Sequence, residues 1–129
     1  MKKALLAVGL LSILATSFAA VSSVNAQDAG DPVKRGCDRD ARTIASNSAW
    51  VKGYELKVEM RWSPRCQARW VKAFIPKDTR LYIKDKFGRR YTTYVAQVNG
   101  WNYSNMVNAR GTFQGCVQHP GDPREMCAR

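Results

Sequence analysis

The chain has 129 residues, with 21 Lys and Arg against 10 Asp and Glu and a formal net charge of +11. It holds one histidine and four cysteines, with no Cys-x-x-Cys and no partner for His119 at zinc-ligand spacing, which argues against a metal centre. Neither a Gly-x-Ser-x-Gly nucleophile motif nor a Gly-rich phosphate loop occurs, which argues against the commonest hydrolase and nucleotide-binding classes.

Residues 1–26 have the layout of a secretory signal peptide. Lys2 and Lys3 precede an apolar run from Ala4 to Ala20, and Val24-Asn25-Ala26 is a small-x-small cleavage site. The run contains Gly9, Ser12, Thr16 and Ser17 and is short for a membrane span of about 20 residues, so cleavage is expected rather than anchoring. No second apolar span follows. The expected product is exported, extracellular or periplasmic, and monomeric. Without the two leader lysines, 19 basic residues stand against 10 acidic ones, a net charge of +9. Such a domain is drawn to anionic surfaces: polymers, lipid headgroups or nucleic acid.

Residues 27–35 are polar, with Gly30 and Pro32, and are expected to be a flexible leader to a single β domain over 36–129. Asp40 to Val51 carries a short alternating piece and then polar Ser46-Asn47-Ser48, which suggests a strand and a loop; a short helix capped by Asp38 is the alternative. From Tyr54 to Trp62, apolar and charged residues alternate. Tyr54, Leu56, Val58, Met60 and Trp62 share one side, and Glu55, Lys57, Glu59 and Arg61 the other. That period marks a half-buried strand, and the charged face suits a solvated ladder of cross-strand pairs. Ser63-Pro64-Arg65 turns the chain into a second strand from Cys66 to Pro76. There the apolar parity switches near Trp70 to Lys72, which predicts either a bulge or burial on both sides.

Further strands are expected over Thr79 to Lys84, Arg90 to Val98 and Thr112 to Val117. Asp85-Lys86-Phe87-Gly88 makes a turn between the first two, and Asn99-Gly100 is a strong hairpin signal ahead of Trp101-Asn102-Tyr103. The tail after Val117 is irregular. Strands at this spacing predict an all-β, disulfide-stabilised domain, a small antiparallel barrel or sandwich. The four cysteines allow three pairings. The expected ones are Cys37 with Cys66, tying the N-terminal part to the central hairpin, and Cys116 with Cys127, closing a short loop.

The best functional signal is a basic hairpin. Arg80, Lys84, Lys86, Arg89 and Arg90 are interleaved with Tyr82, Phe87 and Tyr91, and Arg80, Tyr82 and Lys84 share parity. Cations beside aromatic rings suit an anionic polymer, a membrane surface or single-stranded nucleic acid. His119 beside Pro120 is the only imidazole base on offer, and Asp38 and Asp40 sit among Arg35, Arg39 and Arg42 as ion-pairing carboxylates. No catalytic residue, cofactor or metal is therefore expected. Asn102-Tyr103-Ser104 matches a glycosylation sequon that is expected to serve a turn instead.

Met60-Arg61-Trp62-Ser63-Pro64-Arg65-Cys66 resembles the Leu-Arg-Tyr-Ser-x-x-Cys signature of the YjfA-like family of small exported bacterial proteins. Trp70-Val71-Lys72 stands where that family has Trp-Ala-Arg. Gly36-Cys37-Asp38, Asp40-Ala41 and Thr43 resemble its Gly-Cys-Asp, Asp-Ala and Thr, and Ser104-Asn105-Met106-Val107 its Thr-x-Met-Val. Trp62, Ser104 and the late Cys127 depart from the pattern. The resemblance implies a secreted domain of unknown function with no catalytic residues to carry over. Relatives fused to helix-turn-helix regulators imply nothing for a chain without that region. The expectation is a non-enzymatic exported domain that binds an anionic partner. A small basic hydrolase of nuclease type, or an inhibitor or toxin acting on a protein, are the alternatives.

Overall fold

A computed structural model describes residues 27–108 and 110–129. The signal-peptide reading of residues 1–26 lies outside the described residues. Ten strands form among those described: β1 (Asp28–Gly30), β2 (Arg42–Val51), β3 (Tyr54–Ser63), β4 (Ala68–Ile75), β5 (Arg80–Asp85), β6 (Arg90–Val95), β7 (Gly100–Tyr103), β8 (Met106–Val107), β9 (Phe113–Gln118) and β10 (Met126–Cys127). A single 3-10 turn, Cys37–Asp40, precedes β2.

Two antiparallel sheets stack face to face. The large sheet runs β1-β8-β4-β3-β2, with β7 also on β4, and the small sheet runs β10-β9-β5-β6. The molecule is thus an open two-sheet sandwich, not a closed barrel. Leu56, Val58 and Met60 of β3 and Val71, Ala73 and Ile75 of β4 meet Leu81 and Ile83 of β5 and Val117 of β9 in one buried cluster. At its centre a Cβ on Gly115 would stand 3.0 Å from Val71 Cγ2, so the two sheets approach through a missing side chain.

The β3–β4 hairpin lies at the middle of this arrangement, with Lys57 opposite Phe74 through to Ser63 opposite Ala68 in unbroken register. The parity switch in β4 is therefore no bulge. The strand is buried on both sides: Val71, Ala73 and Ile75 face the main core, and Ala68 and Trp70 join Cys37 and Met106 in a second cluster. The disulfides are Cys37–Cys66 and Cys116–Cys127. Cys37–Cys66 binds the cover of that second cluster to the end of the hairpin. Cys116–Cys127 binds the tail to β9, beside the pairing of Cys127 with Cys116 in the ladder.

Three expectations need correction. Residues 28–30 are not flexible leader: they pair with β8, Asp28 opposite Val107, because β8 would otherwise leave an open edge. Ser46 to Ser48 is not a loop: β2 runs ten residues, and these polar residues face Lys57 to Glu59 across the ladder. Asn99-Gly100 does not close a hairpin. Strand β7 after it pairs with β4, not with β6, so this turn carries the chain from the small sheet to the large one. Asn99 is held there by accepting the Lys77 N–H at 2.8 Å.

Candidate functional site

Strand registers arrange the outer face of the large sheet in rows. Ser48, Lys57, Phe74 and Trp101 form one row across β2, β3, β4 and β7. Ser46, Glu59, Lys72 and Tyr103 form the next, and Thr43, Arg61 and Trp70 the one beyond. On the other side, Trp50 stands opposite Glu55. The rings here are exposed, Trp50 at 73% and Trp101 at 46%. The Lys72 ammonium lies 4.9 Å from the Trp101 ring centre and that of Lys57 5.9 Å from Phe74, while Phe74 and Trp101 meet edge to face at 5.4 Å.

At the far end of these rows is a hollow of about 280 Å³ lined by Pro32, Asp38, Arg61, Trp70, Lys72 and Tyr103. Trp70 is its buried floor. Arg61 donates to the Thr43 hydroxyl at 2.8 Å and Tyr103 donates to Asp31. Burial and the nearby Asp31 carboxylate push the Tyr103 phenol up. The sequence alone points to no function for this face, where Glu55, Lys57, Glu59 and Arg61 read as a solvated ladder. The missing signal was the β4–β7 pairing, which brings Trp101 and Tyr103 beside Phe74 and Lys72.

The basic hairpin β5–β6 divides in two. Tyr82 is fully buried on the outer face of the small sheet. It donates to the Glu125 carboxylate, and Lys84 donates to the other oxygen of the same group. The Arg90 guanidinium lies 4.0 Å from the Tyr82 ring centre and donates to Gln118 at 3.2 Å. Burial and Glu125 push the Tyr82 phenol far up. Burial opposes the Glu125 charge, but bonds from Lys84 and Tyr82 outweigh it and hold that carboxyl below its ordinary range. Tyr82, Lys84 and Arg90 are thus joined around a tail carboxylate. Arg80 is exposed on the same strand, and Lys86 and Arg89 are exposed with Phe87 at the tip.

The tip itself is rigidly built. Asp85 accepts from the N–H groups of Phe87 and Arg89 and from the Tyr91 hydroxyl at 2.8 Å. Burial works against its charge, yet these bonds hold its carboxyl low.

The Arg61 to Cys66 motif is a structural joint. The Ser63 hydroxyl donates to Asp40 at 2.6 Å and accepts the Cys66 N–H at 3.1 Å, while the Arg65 N–H donates to the other Asp40 oxygen. The Ser63 hydroxyl first, then the Arg65 N–H, hold the Asp40 carboxyl down. Ser104 has a similar task. Its hydroxyl accepts the Val71 N–H at 3.1 Å and its own N–H donates to the Val71 carbonyl, continuing the β4 ladder between β7 and β8. The Asn102 side chain of the sequon is buried and donates to the carbonyls of Val98 and Gly100, so it fastens the crossover turn.

His119 lines a hollow of about 380 Å³ with Trp50, Asp122 and Arg124. Its Nδ1 accepts the Gly121 N–H at 3.0 Å and its ring stacks on Tyr54. Asp122 is held by Arg124 through two guanidinium bonds and one N–H, and that pairing drives its carboxyl far down. Among the described residues, Cys116, Glu125 and Cys127 form a group of metal-ligand types. Both cysteines are spent in the disulfide and Glu125 is engaged by Tyr82 and Lys84, so the group offers no thiolate.

Fold and surface together define a small all-β sandwich with two disulfides, one charge-balanced aromatic face and one basic hairpin. Over residues 25–116 the chain matches the model of the family described as protein of unknown function (DUF2690), and it belongs to that family. No curated protein and no solved structure matches it.

Proposed function

We propose that this protein is an exported, non-enzymatic β domain that binds an anionic partner at the cell envelope or outside the cell, and that its finer kinship is with the YjfA-like proteins. One observation carries the reading: the excess of basic side chains is largely uncompensated. Among the described residues, ion pairs engage Lys84 and Arg90 with Glu125, and Arg124 with Asp122. The exposed cations Arg80, Lys86 and Arg89 bear no such pair. Long-range attraction to a polyanion follows from such a surplus.

Export is supported by the leader sequence and by two disulfides, which persist in oxidising compartments. No helix among the described residues is long and apolar enough to cross a membrane. The non-enzymatic reading is supported by His119, whose Nδ1 is engaged, and by Asp122, which is committed to Arg124. The test is retention on heparin beads, anionic lipid vesicles and single-stranded DNA across a salt series. Binding that weakens with salt, and that weakens further in Lys86→Glu/Arg89→Glu, is the expected result. Absence of binding to all three at low salt overturns the proposal.

A further inference from the structure

The outer face of the large sheet differs in chemistry from the rest of this basic molecule. Lys57, Lys72 and Arg61 are interleaved there with Glu55 and Glu59, and Asp31 and Asp38 lie at the end with the hollow. Ser46, Ser48, Thr43 and the Tyr103 hydroxyl add groups that both donate and accept. Three aromatic rings, Trp50, Phe74 and Trp101, stand exposed among them. Rows of a strand face lie about 7 Å apart, so the stretch from Trp50 to the Trp70 hollow spans about 20 Å.

Each candidate occupant makes a different demand. A polyanion needs cations without acids between them, and Glu55 and Glu59 oppose it. The centre of a protein–protein interface is depleted of charge, whereas here a lysine lies on the ring of Phe74 and of Trp101. A glycan chain has apolar ring faces edged by hydroxyls. Those hydroxyls donate and accept in alternation, so they need carboxylates, ammonium groups and hydroxyls side by side, with flat aromatic surface beneath. A concave end lined by an aromatic floor and a few convergent polar groups is the usual form of a small-ligand site.

We propose that this face is a binding site for an uncharged glycan, with pyranose rings on Trp50 and on the Phe74–Trp101 pair and a terminal unit in the hollow over Trp70. Lys57, Lys72, Glu55 and Glu59 hold its hydroxyls. The site is separate from the cations of the β5–β6 tip and does not depend on the anion-binding reading.

The experiment titrates the whole protein with cellohexaose and with the hexamer of N-acetylglucosamine, followed by tryptophan fluorescence and calorimetry at low and high salt. Expected is saturable binding of at least one, nearly unaffected by salt. Trp101→Ala and, at the more exposed position, Trp50→Ala should each weaken it about tenfold, as loss of an aromatic anchor does. Lys72→Gln, which keeps the chain length, should weaken it less, and Lys86→Ala/Arg89→Ala should leave it unchanged. The proposal is overturned if neither oligosaccharide binds. It is also overturned if both Trp variants bind as the parent does, or if Trp101→Ala only converts a dimer to a monomer, which would make a second copy the occupant. Loss of heparin retention in Trp101→Ala with no sugar binding would equally overturn it and give the face to a polyanion.

Discussion

The two candidate surfaces of this domain are both rich in cations and aromatic rings, yet they are built in opposite ways. On the outer face of the large sheet, Lys57 and Lys72 rest on ring faces and the rings stay open to solvent. On the small sheet, Tyr82 and Lys84 are bound by Glu125 from the tail, and Arg90 lies on the Tyr82 ring with its guanidinium still exposed. The first surface has its acids spread between its cations; the second has a single acid at its focus. Basic and aromatic residues clustered in sequence therefore need not share one environment: Tyr82 and Lys84 meet Glu125, while Arg80, Lys86, Phe87 and Arg89 stay exposed. What matters is whether another part of the chain supplies the counter-charge. Each disulfide serves one of the surfaces: Cys37–Cys66 fastens the cover beside Trp70, and Cys116–Cys127 fastens the tail that carries Glu125.

Breaking the disulfides gives the largest effects. Cys37→Ser/Cys66→Ser, which opens a span of 29 residues, should cost about 3–4 kcal/mol by the chain-entropy model. Cys116→Ser/Cys127→Ser, across 11, should cost about 3 kcal/mol. Urea denaturation of both, followed by fluorescence, measures the difference. The second variant should also bind heparin beads more tightly than the parent, because Glu125 is no longer held against Lys84 and Arg90. Unchanged retention would mean that the tail does not mask the hairpin.

Ser63→Ala removes a buried hydroxyl that serves both Asp40 and the Cys66 N–H, with an expected cost of about 1–3 kcal/mol in the same denaturation assay. A value near zero would show that the turn holds without it. Glu125→Gln should cost about 1 kcal/mol, less because the group is partly exposed. It should also raise retention on anionic beads without altering the oligosaccharide titration.

Acidity should act on the small-sheet side and the joints. The carboxyls of Asp40, Asp85, Asp122 and Glu125 all lie below their ordinary range in the folded protein. Their contribution is complete above the unfolded values, near pH 4–4.5, and is lost as pH falls through the lower folded ones. The raised Tyr82 phenol works in the other direction. Its contribution is complete below about pH 10 and is lost as pH rises further. Melting temperature should thus be flat between about pH 5 and 9 and drop on both sides, with the alkaline drop reduced in Tyr82→Phe. The smallest expected effect is that of Lys86→Ala/Arg89→Ala. It should lie within about 0.5 kcal/mol of the parent in stability, as for exposed side chains generally, while weakening heparin retention.

Much of the fold was legible because the relevant signals are local. The alternation from Tyr54 to Trp62 places β3 with Leu56, Val58 and Met60 inward, and the parity switch at Trp70 to Lys72 allows a bulge or two-sided burial, of which the structure has the second. The role of Ser63 at its turn was also within reach, since a hydroxyl at that position can bond the backbone a few residues on. Asp28 to Gly30 has no strand signal of its own and pairs only because β8 offers an edge. Asn99-Gly100 signals a change of direction but not the strand that receives the chain, which is β4.

By itself, then, the sequence determined the alternating faces of β3, the turns at Ser63 to Arg65 and at Asp85 to Gly88, and a surplus of positive charge. All of these depend on residues within a few positions of one another. Tertiary structure decided the rest. Pairing β7 with β4 assembled Phe74, Lys72, Trp101 and Tyr103 from segments some 30 residues apart. Folding the tail back set Glu125 against Tyr82 and Lys84, about 40 residues upstream. Neither contact leaves a trace in local pattern, because hydrophobic period and turn chemistry specify which side of a strand faces inward and not which strand lies beside it.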